Sequence, residues 1–349
     1  MLSLQQRINA FVQLGDFLKD YRLKEAKPNH QKFHTDLEKL VEMCYIYNGW
    51  FTPLNVNKAL NGIESMLNEK DILSFSKSIT EPKAPKKIAV IMAGNIPAVG
   101  FHDMLCVLLS GNKVLIKLSS DDHVLIPFLA GMLIYFEPEF APYIHFAENK
   151  LSDFDAVIAT GSNNSARYFD YYFKKYPHII RKNRNSVAVL NGNESDADLK
   201  LLGHDILDYF GLGCRNVSKL FVPEGYNFSA FYEAIFDFKW VIDNKKYGNN
   251  YDYTRAIYLL DSVQFLDNNF LMLKEDKAFA SPVSVVFHET YSDIASVEDF
   301  LLQNEEQLQC IVAKKLSKVK NVNFGQTQCP ALTDYADNVN TLDFLMNLN

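Results

Sequence analysis

The chain has 349 residues, 48% apolar and 22% charged, the balance of a soluble globular protein, which excludes a mostly disordered one. At roughly 150 residues per domain, this length leads us to expect two domains. A net charge of -7, from 42 acidic and 35 basic side chains, argues against a general nucleic-acid binder and against adhesion to an anionic membrane.

The start, Met1-Leu2-Ser3-Leu4-Gln5-Gln6-Arg7, lacks the apolar core of a signal peptide, and no later run approaches ~18 apolar residues. A cytoplasmic protein without membrane insertion is expected. Residues 1–78 read as helices over 2–18 and 34–47, with a third opening at Thr52-Pro53, where Thr52 is the N-cap and Pro53 the first helical residue. This region shows no chemistry of its own, and its functional alternative is a lid or a partner surface. After the connector Glu81-Pro82-Lys83-Ala84-Pro85-Lys86-Lys87, an apolar strand over 88–92 opens an α/β domain. Gly94-Asn95-Ile96-Pro97 turns the chain into a helix over 98–109, Gly111-Asn112 ends it, and 113–117 form the next strand. A helix over 124–136, a strand over 155–159 and a helix over 165–174 follow. A second series starts with a strand at 186–190 and a helix from Asp196, read as its cap, to Phe210. A turn and a strand from Leu220 come next, then a helix over 228–236, a polar loop at 245–250 and strands at 256–260 and 283–287. Strands alternating with helices imply mostly parallel sheets covered on both faces.

Several stretches carry chemistry. In Gly211-Leu212-Gly213-Cys214 the two glycines remove bulk beside the cysteine, so a substrate carbonyl could approach the sulfur; the alternative is a small buried cysteine. The five cysteines (Cys44, Cys106, Cys214, Cys310, Cys329) are odd in number and include no CxxC pair, which fits a reducing compartment without structural disulfides. The eight histidines are scattered and no zinc spacing is present, so no metal is expected. Asn95 stands where a strand gives way to a helix, the place where doubly wound folds bind ligands, although asparagine is also common in plain turns. Lys117 ends a strand that should be buried, and a lysine there addresses a ligand. Thr160-Gly161-Ser162 offers backbone N–H groups to a phosphate or a dinucleotide. The long GxGxxG fingerprint is absent. His204 on the helix before Cys214 reads as structural and stays outside the catalytic set. The 26 Phe and 18 Tyr suit an ordinary aromatic core better than an acyl-chain tunnel.

Taken together and in this order, these motifs resemble the aldehyde dehydrogenase superfamily, and within it the acyl-CoA reductases of the bacterial luminescence fatty-acid reductase type. The likeness runs from about Trp50 to Val222 and more loosely through Pro282 to the tail. It implies an α/β, aldehyde-dehydrogenase-like fold of two α/β lobes with mostly parallel sheets and a helical N-terminal region. Residues 1–184 would hold that region and the nicotinamide-cofactor lobe, 185–315 the cysteine lobe, and 316–349 a segment returning to the first lobe. Cys214 would be the nucleophile and Asn95 the oxyanion donor. Lys117, within Gly111-Asn112-Lys113-Val114-Leu115-Ile116-Lys117-Leu118-Ser119-Ser120, would meet the adenosine ribose with Ser119 and Ser120 beside it, and Gly161 and Ser162 would lie near the cofactor phosphates.

The departures from the family pattern set the expected reaction. Where aldehyde-oxidising members carry a water-activating glutamate, this chain has Arg181-Lys182-Asn183-Arg184-Asn185-Ser186, and Phe279-Ala280-Ser281-Pro282 lacks the family's ribose-binding glutamate. The resemblance therefore implies reduction of an acyl thioester, a fatty acyl-CoA, to an aldehyde. Ser120 stands where NAD-preferring relatives often have a glutamate that repels a 2′-phosphate, so NADPH is the expected cofactor, with NADH also admitted. A homo-oligomer is compatible with the resemblance. The rival readings are an acyl-phosphate reductase of the same superfamily and a catalytically silent binding or scaffold protein that keeps the fold.

Overall fold

The computed structural model describes residues 2–148 and 150–348. The chain divides into two compact units: unit 1 comprises Met1–Asn183 and Pro330–Asn349, and unit 2 comprises Arg184–Cys329.

Unit 1 opens with four helices, α1 (Leu4–Leu23), α2 (Gln31–Tyr47), α3 (Pro53–Met66) and α4 (Glu69–Ser76). Ser3 starts α1 with a capping box to Gln6. Thr52 accepts from the Asn55 amide with Pro53 in the first turn, the start that the sequence led us to expect. A parallel sheet follows, built from β1 (Lys87–Ile91), β2 (Lys113–Lys117), β3 (Ile144–Phe146), β4 (Ala156–Thr160) and β5 (His178–Arg181), in the order β3-β2-β1-β4-β5. Its connecting helices are α5 (Phe101–Leu109), α6 (Leu125–Phe136) and α7 (Asn163–Phe173). Period-two alternation sorts the faces. Ile88, Val90, Ala156 and Ile158 join the core under α1, α5 and α6, whereas Ala89, Val157 and Ala159 face Phe169 and Phe173 of α7. Each fully buried isoleucine or valine side chain here contributes roughly 1.5–3 kcal/mol.

Unit 2 holds β6 (Asn185–Val189), α8 (Asp196–Leu207), β7 (Val217–Pro223), α9 (Phe228–Ala234), α10 (Lys245–Leu260), β8 (Leu266–Asp267), β9 (Met272–Glu275), β10 (Val285–Tyr291), α11 (Ile294–Gln303) and β11 (Leu308–Val312). Its sheet runs β11-β6-β7-β10-β9-β8, and only the β8–β9 pair is antiparallel. The last helix, α12 (Thr341–Met346), belongs to unit 1, where Leu332, Leu342 and Leu345 enter the core.

Local readings of unit 2 need correction. The stretch 245–250 is not a loop, and 256–260 is not a strand; both belong to α10. Asn244 caps that helix by accepting from the Lys246 and Tyr247 amides, and Tyr247, Tyr251, Thr254 and Tyr258 are buried at helical spacing that the polar composition hides. The cap of α8 is Ser195, in a box with Asp198, and Asp196 is the first helical residue. Among the described residues no helix is long and apolar enough to cross a membrane.

Candidate active site

The chain leaves β1 for β2 on one side of the sheet and leaves β4 for β5 on the other, which makes the carboxyl ends of the adjacent strands β1 and β4 the switch point of the sheet. The turn at 94–97 leaves β1 there, and the Thr160-Gly161-Ser162 turn leaves β4. The first turn packs against the one after β2: a Cβ on Gly94 would fall 2.5 Å from Ser119 Oγ, so only glycine allows this approach. The Ala98 amide donates to Asp122 Oδ2 at 2.6 Å, and Ala98 sits at φ 53°, so α5 begins at Phe101 and not at 98. Ser119 bridges to Asp122, and Asn48, at the end of α2, donates to the Asp121 carbonyl at 3.4 Å. The N-terminal helices thus brace the loop that carries Ser119 and Ser120. Asn95 and Ser120 are exposed, and half-buried Lys117 donates from Nζ to the Glu148 carbonyl at 3.1 Å. Ser162 caps α7 by accepting from the Ser165 amide, and a Cβ on Gly161 would meet Ser165 at 2.9 Å. A cation at the end of β2, small hydroxyls beside it and a glycine turn at the end of β4, on the other side of β1, fit a dinucleotide phosphate and ribose.

Asp122 escaped the sequence reading. Burial pushes its carboxyl up to about 6, against the Ala98 amide, which pulls it down. The folded chain therefore keeps a proton that the unfolded chain releases near pH ~4, and stability is lost as pH rises from ~4 through ~6, by up to about 3 kcal/mol. Asp122→Asn can still accept from Ala98 but cannot titrate. Whatever its absolute cost, its unfolding free energy relative to wild type should climb between pH ~4.5 and ~7.5; parallel profiles in denaturant titrations would show that Asp122 is not the group responsible.

In unit 2 the cysteine lies in a braced loop. After α8, Tyr209, Phe210 and Gly211 take φ of 52°, 58° and 76°, three left-handed residues in succession, the two non-glycines costing about 1–3 kcal/mol each. Asn216 holds this conformation. Its Nδ2 donates to the carbonyls of Asp205, Ile206 and Asp208 at 3.2, 3.3 and 2.8 Å, and its Oδ1 accepts from the Gly213 amide at 2.8 Å. Ser186 Oγ donates to the Cys214 carbonyl at 2.9 Å and accepts from the Cys310 amide at 3.1 Å. Cys214 itself is exposed and precedes β7, at the amino edge of the parallel strands and not at the carboxyl edge where ligands of such sheets usually sit.

Two of the other thiols are poor nucleophiles: burial pushes Cys44 up to about 12 and Cys106 far above the ordinary thiol range. Cys310 is buried and its sulfur accepts from Arg215 at 3.3 Å, and Cys329 is exposed. His204 Nδ1 lies 3.1 Å from Asp208 Oδ1 and its ring packs on Phe238. Arg181, which the resemblance sets in place of the family glutamate, is buried in unit 1 between Asp103 and Thr341. Burial works against its charge and the Asp103 carboxylate outweighs that, so the guanidinium stays protonated. Lys219 was also missed. It is fully buried on β7, donates to Glu289 at 2.6 Å and to the Lys277 carbonyl at 2.8 Å, and lies over the Phe279 ring, which fixes the 277–279 segment. Among the described residues no three His, Cys, Asp or Glu side chains gather where a metal ion could be held. A hollow of about 570 Å³ lined by Tyr21, His34, Glu38 and Asn61 contains none of the candidate residues.

A family model described as acyl-CoA reductase (LuxC) matches residues 19–233. Aldehyde dehydrogenase 21 of Physcomitrella patens, solved with the reaction product succinate, aligns with a TM-score of 0.67 at 11% identity, covering 100% of this chain and 85% of that one. An indole-3-acetaldehyde dehydrogenase complexed with NAD+ gives 0.64 at 12% identity, covering 91% and 73%. An NADP dependent enzyme of E. coli gives 0.61 at 13% identity, covering 91% and 75%. At such identities the likeness establishes the fold, that of the aldehyde dehydrogenases. No curated protein shows a significant match.

Proposed function

The chain belongs to the acyl-CoA reductase (LuxC) family and is thus an oxidoreductase, and from that premise we propose that it reduces a fatty acyl-CoA to the aldehyde through a thioester on Cys214. The observation that carries the reading is an exposed thiol in a loop held by Asn216 and Ser186, in a chain whose thiols at 44, 106 and 310 are buried.

In this reading the Cys214 sulfur attacks the thioester carbonyl, the bond from carbon to the CoA sulfur breaks, and CoA leaves with the proton. The nicotinamide cofactor, when bound, supplies the hydride. The resulting thiohemiacetal on Cys214 collapses, its carbon–sulfur bond breaking as the aldehyde leaves. A free thiol of pKa ~8.5 is only a few per cent ionised at neutral pH, so local N–H groups and nearby positive charge must favour the thiolate. Lys117, Ser119 and Ser120 would hold the adenosine ribose, and Gly161 and Ser162 the phosphates. With Lys117 cationic and Ser120 small and neutral, a 2′-phosphate is accepted, which supports NADPH.

Asn95 and the Cys214 amide are assigned as donors to the developing oxyanion, each such donor being worth roughly 3–4 kcal/mol in the transition state. Asn95→Ala should therefore bind acyl-CoA normally and lose roughly 10²–10³ in turnover; a wild-type kcat would remove Asn95 from the site. The direct test of the whole reading is intact-mass analysis after mixing with a panel of acyl-CoAs in the absence of cofactor. Addition of one acyl group supports it, acylation by acyl phosphates alone points to the acyl-phosphate reductase instead, and no adduct with either donor leaves a silent scaffold.

A further inference from the structure

We propose that the outward face of α7 docks on an anionic phospholipid bilayer. This helix turns Ala166, Phe169 and Phe173 to the sheet, and the opposite stripe carries Arg167, Tyr168, Tyr171 and Tyr172, with Lys174 and Lys175 exposed in the turn that follows. Tyr168, Tyr171 and Tyr172 are 60%, 69% and 66% exposed, far beyond what packing of the helix requires. Tyr171 and Tyr172 meet edge to face at 5.4 Å, and the Lys174 ammonium lies 5.6 Å from the Tyr171 ring centre, so rings and charges form one patch. In a chain where acids outnumber bases, residues 163–183 contain a single acid, Asp170, on the flank of the stripe, against the exposed bases Arg167, Lys174, Lys175 and Lys182. Screening over about 8–10 Å at physiological salt makes this local charge, and not the overall -7, what an approaching surface meets.

The chemistry favours a lipid surface over other anions. Tyrosine combines an apolar ring with a hydroxyl and settles at the headgroup level of a bilayer, while lysine and arginine reach the phosphates. The stripe has no outward Leu, Ile, Val or Phe, so it rests on the headgroups without inserting among the acyl chains. A convex helix face encloses no small anion. Insofar as the proposed substrate is a long-chain thioester, which partitions into bilayers, such a face would bring the enzyme to where its substrate collects.

The test is co-sedimentation of the full chain with vesicles of phosphatidylcholine alone or mixed with phosphatidylglycerol. Binding is expected only to the mixed vesicles and should fade at high salt. Each base is worth roughly a fivefold gain in partitioning, so the Lys174→Glu/Lys175→Glu double variant should bind at least ~25-fold more weakly. Tyr168→Ser/Tyr171→Ser/Tyr172→Ser, on a fold checked by circular dichroism, should also bind more weakly. No binding to the anionic vesicles, equal binding to the neutral ones, undiminished binding by the charge variant, or retention on RNA or polyglutamate in place of vesicles would each overturn the proposal. Acylation by a short, water-soluble acyl-CoA is read separately, so vesicle binding without acylation would count against the reductase reading alone.

Discussion

Replacing Cys214 with alanine is expected to abolish the acyl adduct and to lower NADPH-dependent aldehyde formation by roughly 10⁴ or more, because the covalent route disappears with the sulfur. The loop itself should survive, since the Asn216 side chain and the Ser186 hydroxyl brace it through backbone groups that the substitution leaves in place. Two controls separate chemistry from folding. Cys106 is fully buried in α5, so Cys106→Ala should cost stability, about 1 kcal/mol, and leave acylation intact. Cys329 is exposed like Cys214, so Cys329→Ala tests whether mere accessibility suffices, and it should acylate as wild type does. An adduct that persists in the Cys214 variant, located by peptide mapping, would move the nucleophile elsewhere.

The second large effect is an absence of hydrolysis. A thioester on the enzyme reacts with water slowly unless a base removes the water's proton, and such help is worth roughly 10²–10⁴ in rate. The residue that the resemblance sets in place of the family's base is Arg181, a cation with no lone pair to offer, and it is buried against Asp103 and Thr341. Near the cysteine loop, Asp205 accepts from the Gly325 and Thr327 amides and from the Thr327 hydroxyl, and Asp208 is paired with His204. Acyl-CoA without cofactor should therefore release about one CoA per active site in a burst, followed by very slow formation of acid. Aldehyde with NADP should turn over efficiently only when CoA is present to accept the acyl group. Fast oxidation of aldehyde to free acid without CoA would mean that another residue supplies the base, and the enzyme would behave as an ordinary aldehyde dehydrogenase.

What the sequence revealed follows from the range of the forces involved. Strands β1, β2 and β4 are legible because short apolar runs between turn residues have no other stable fate, and the cap at Thr52-Pro53 is a contact over three residues. Helix α10 was misread because its burial signal is carried by tyrosines and a threonine at helical spacing, while the Gly248-Asn249-Asn250 run looks like a turn. The candidate residues could be named from motifs, yet what positions them could not. Asp122 reaches back 24 residues to Ala98, Ser186 reaches 28 to Cys214, and Lys219 reaches 70 to Glu289. Such bonds leave no periodic trace in the chain. Only Asn216 was close at hand, two residues after the cysteine, where an asparagine beside left-handed backbone is a recognisable brace.

The order in which the ribosome makes the chain gives the tail a separate importance. Unit 1 is interrupted: its last piece, Pro330–Asn349, emerges only after all of unit 2 has been translated, a wait on the order of ten seconds. During that interval the seats of Leu332, Leu342 and Leu345 in the unit 1 core are open, Arg181 lacks its Thr341 partner, and the carbonyl of Leu332 has not yet reached His102. Unit 2 is continuous and needs nothing from the tail to close its own sheet. A nascent or prematurely stopped chain would therefore carry a finished cysteine loop in unit 2 and an unfinished core in unit 1, and chaperones and proteases would find their target in residues synthesised first.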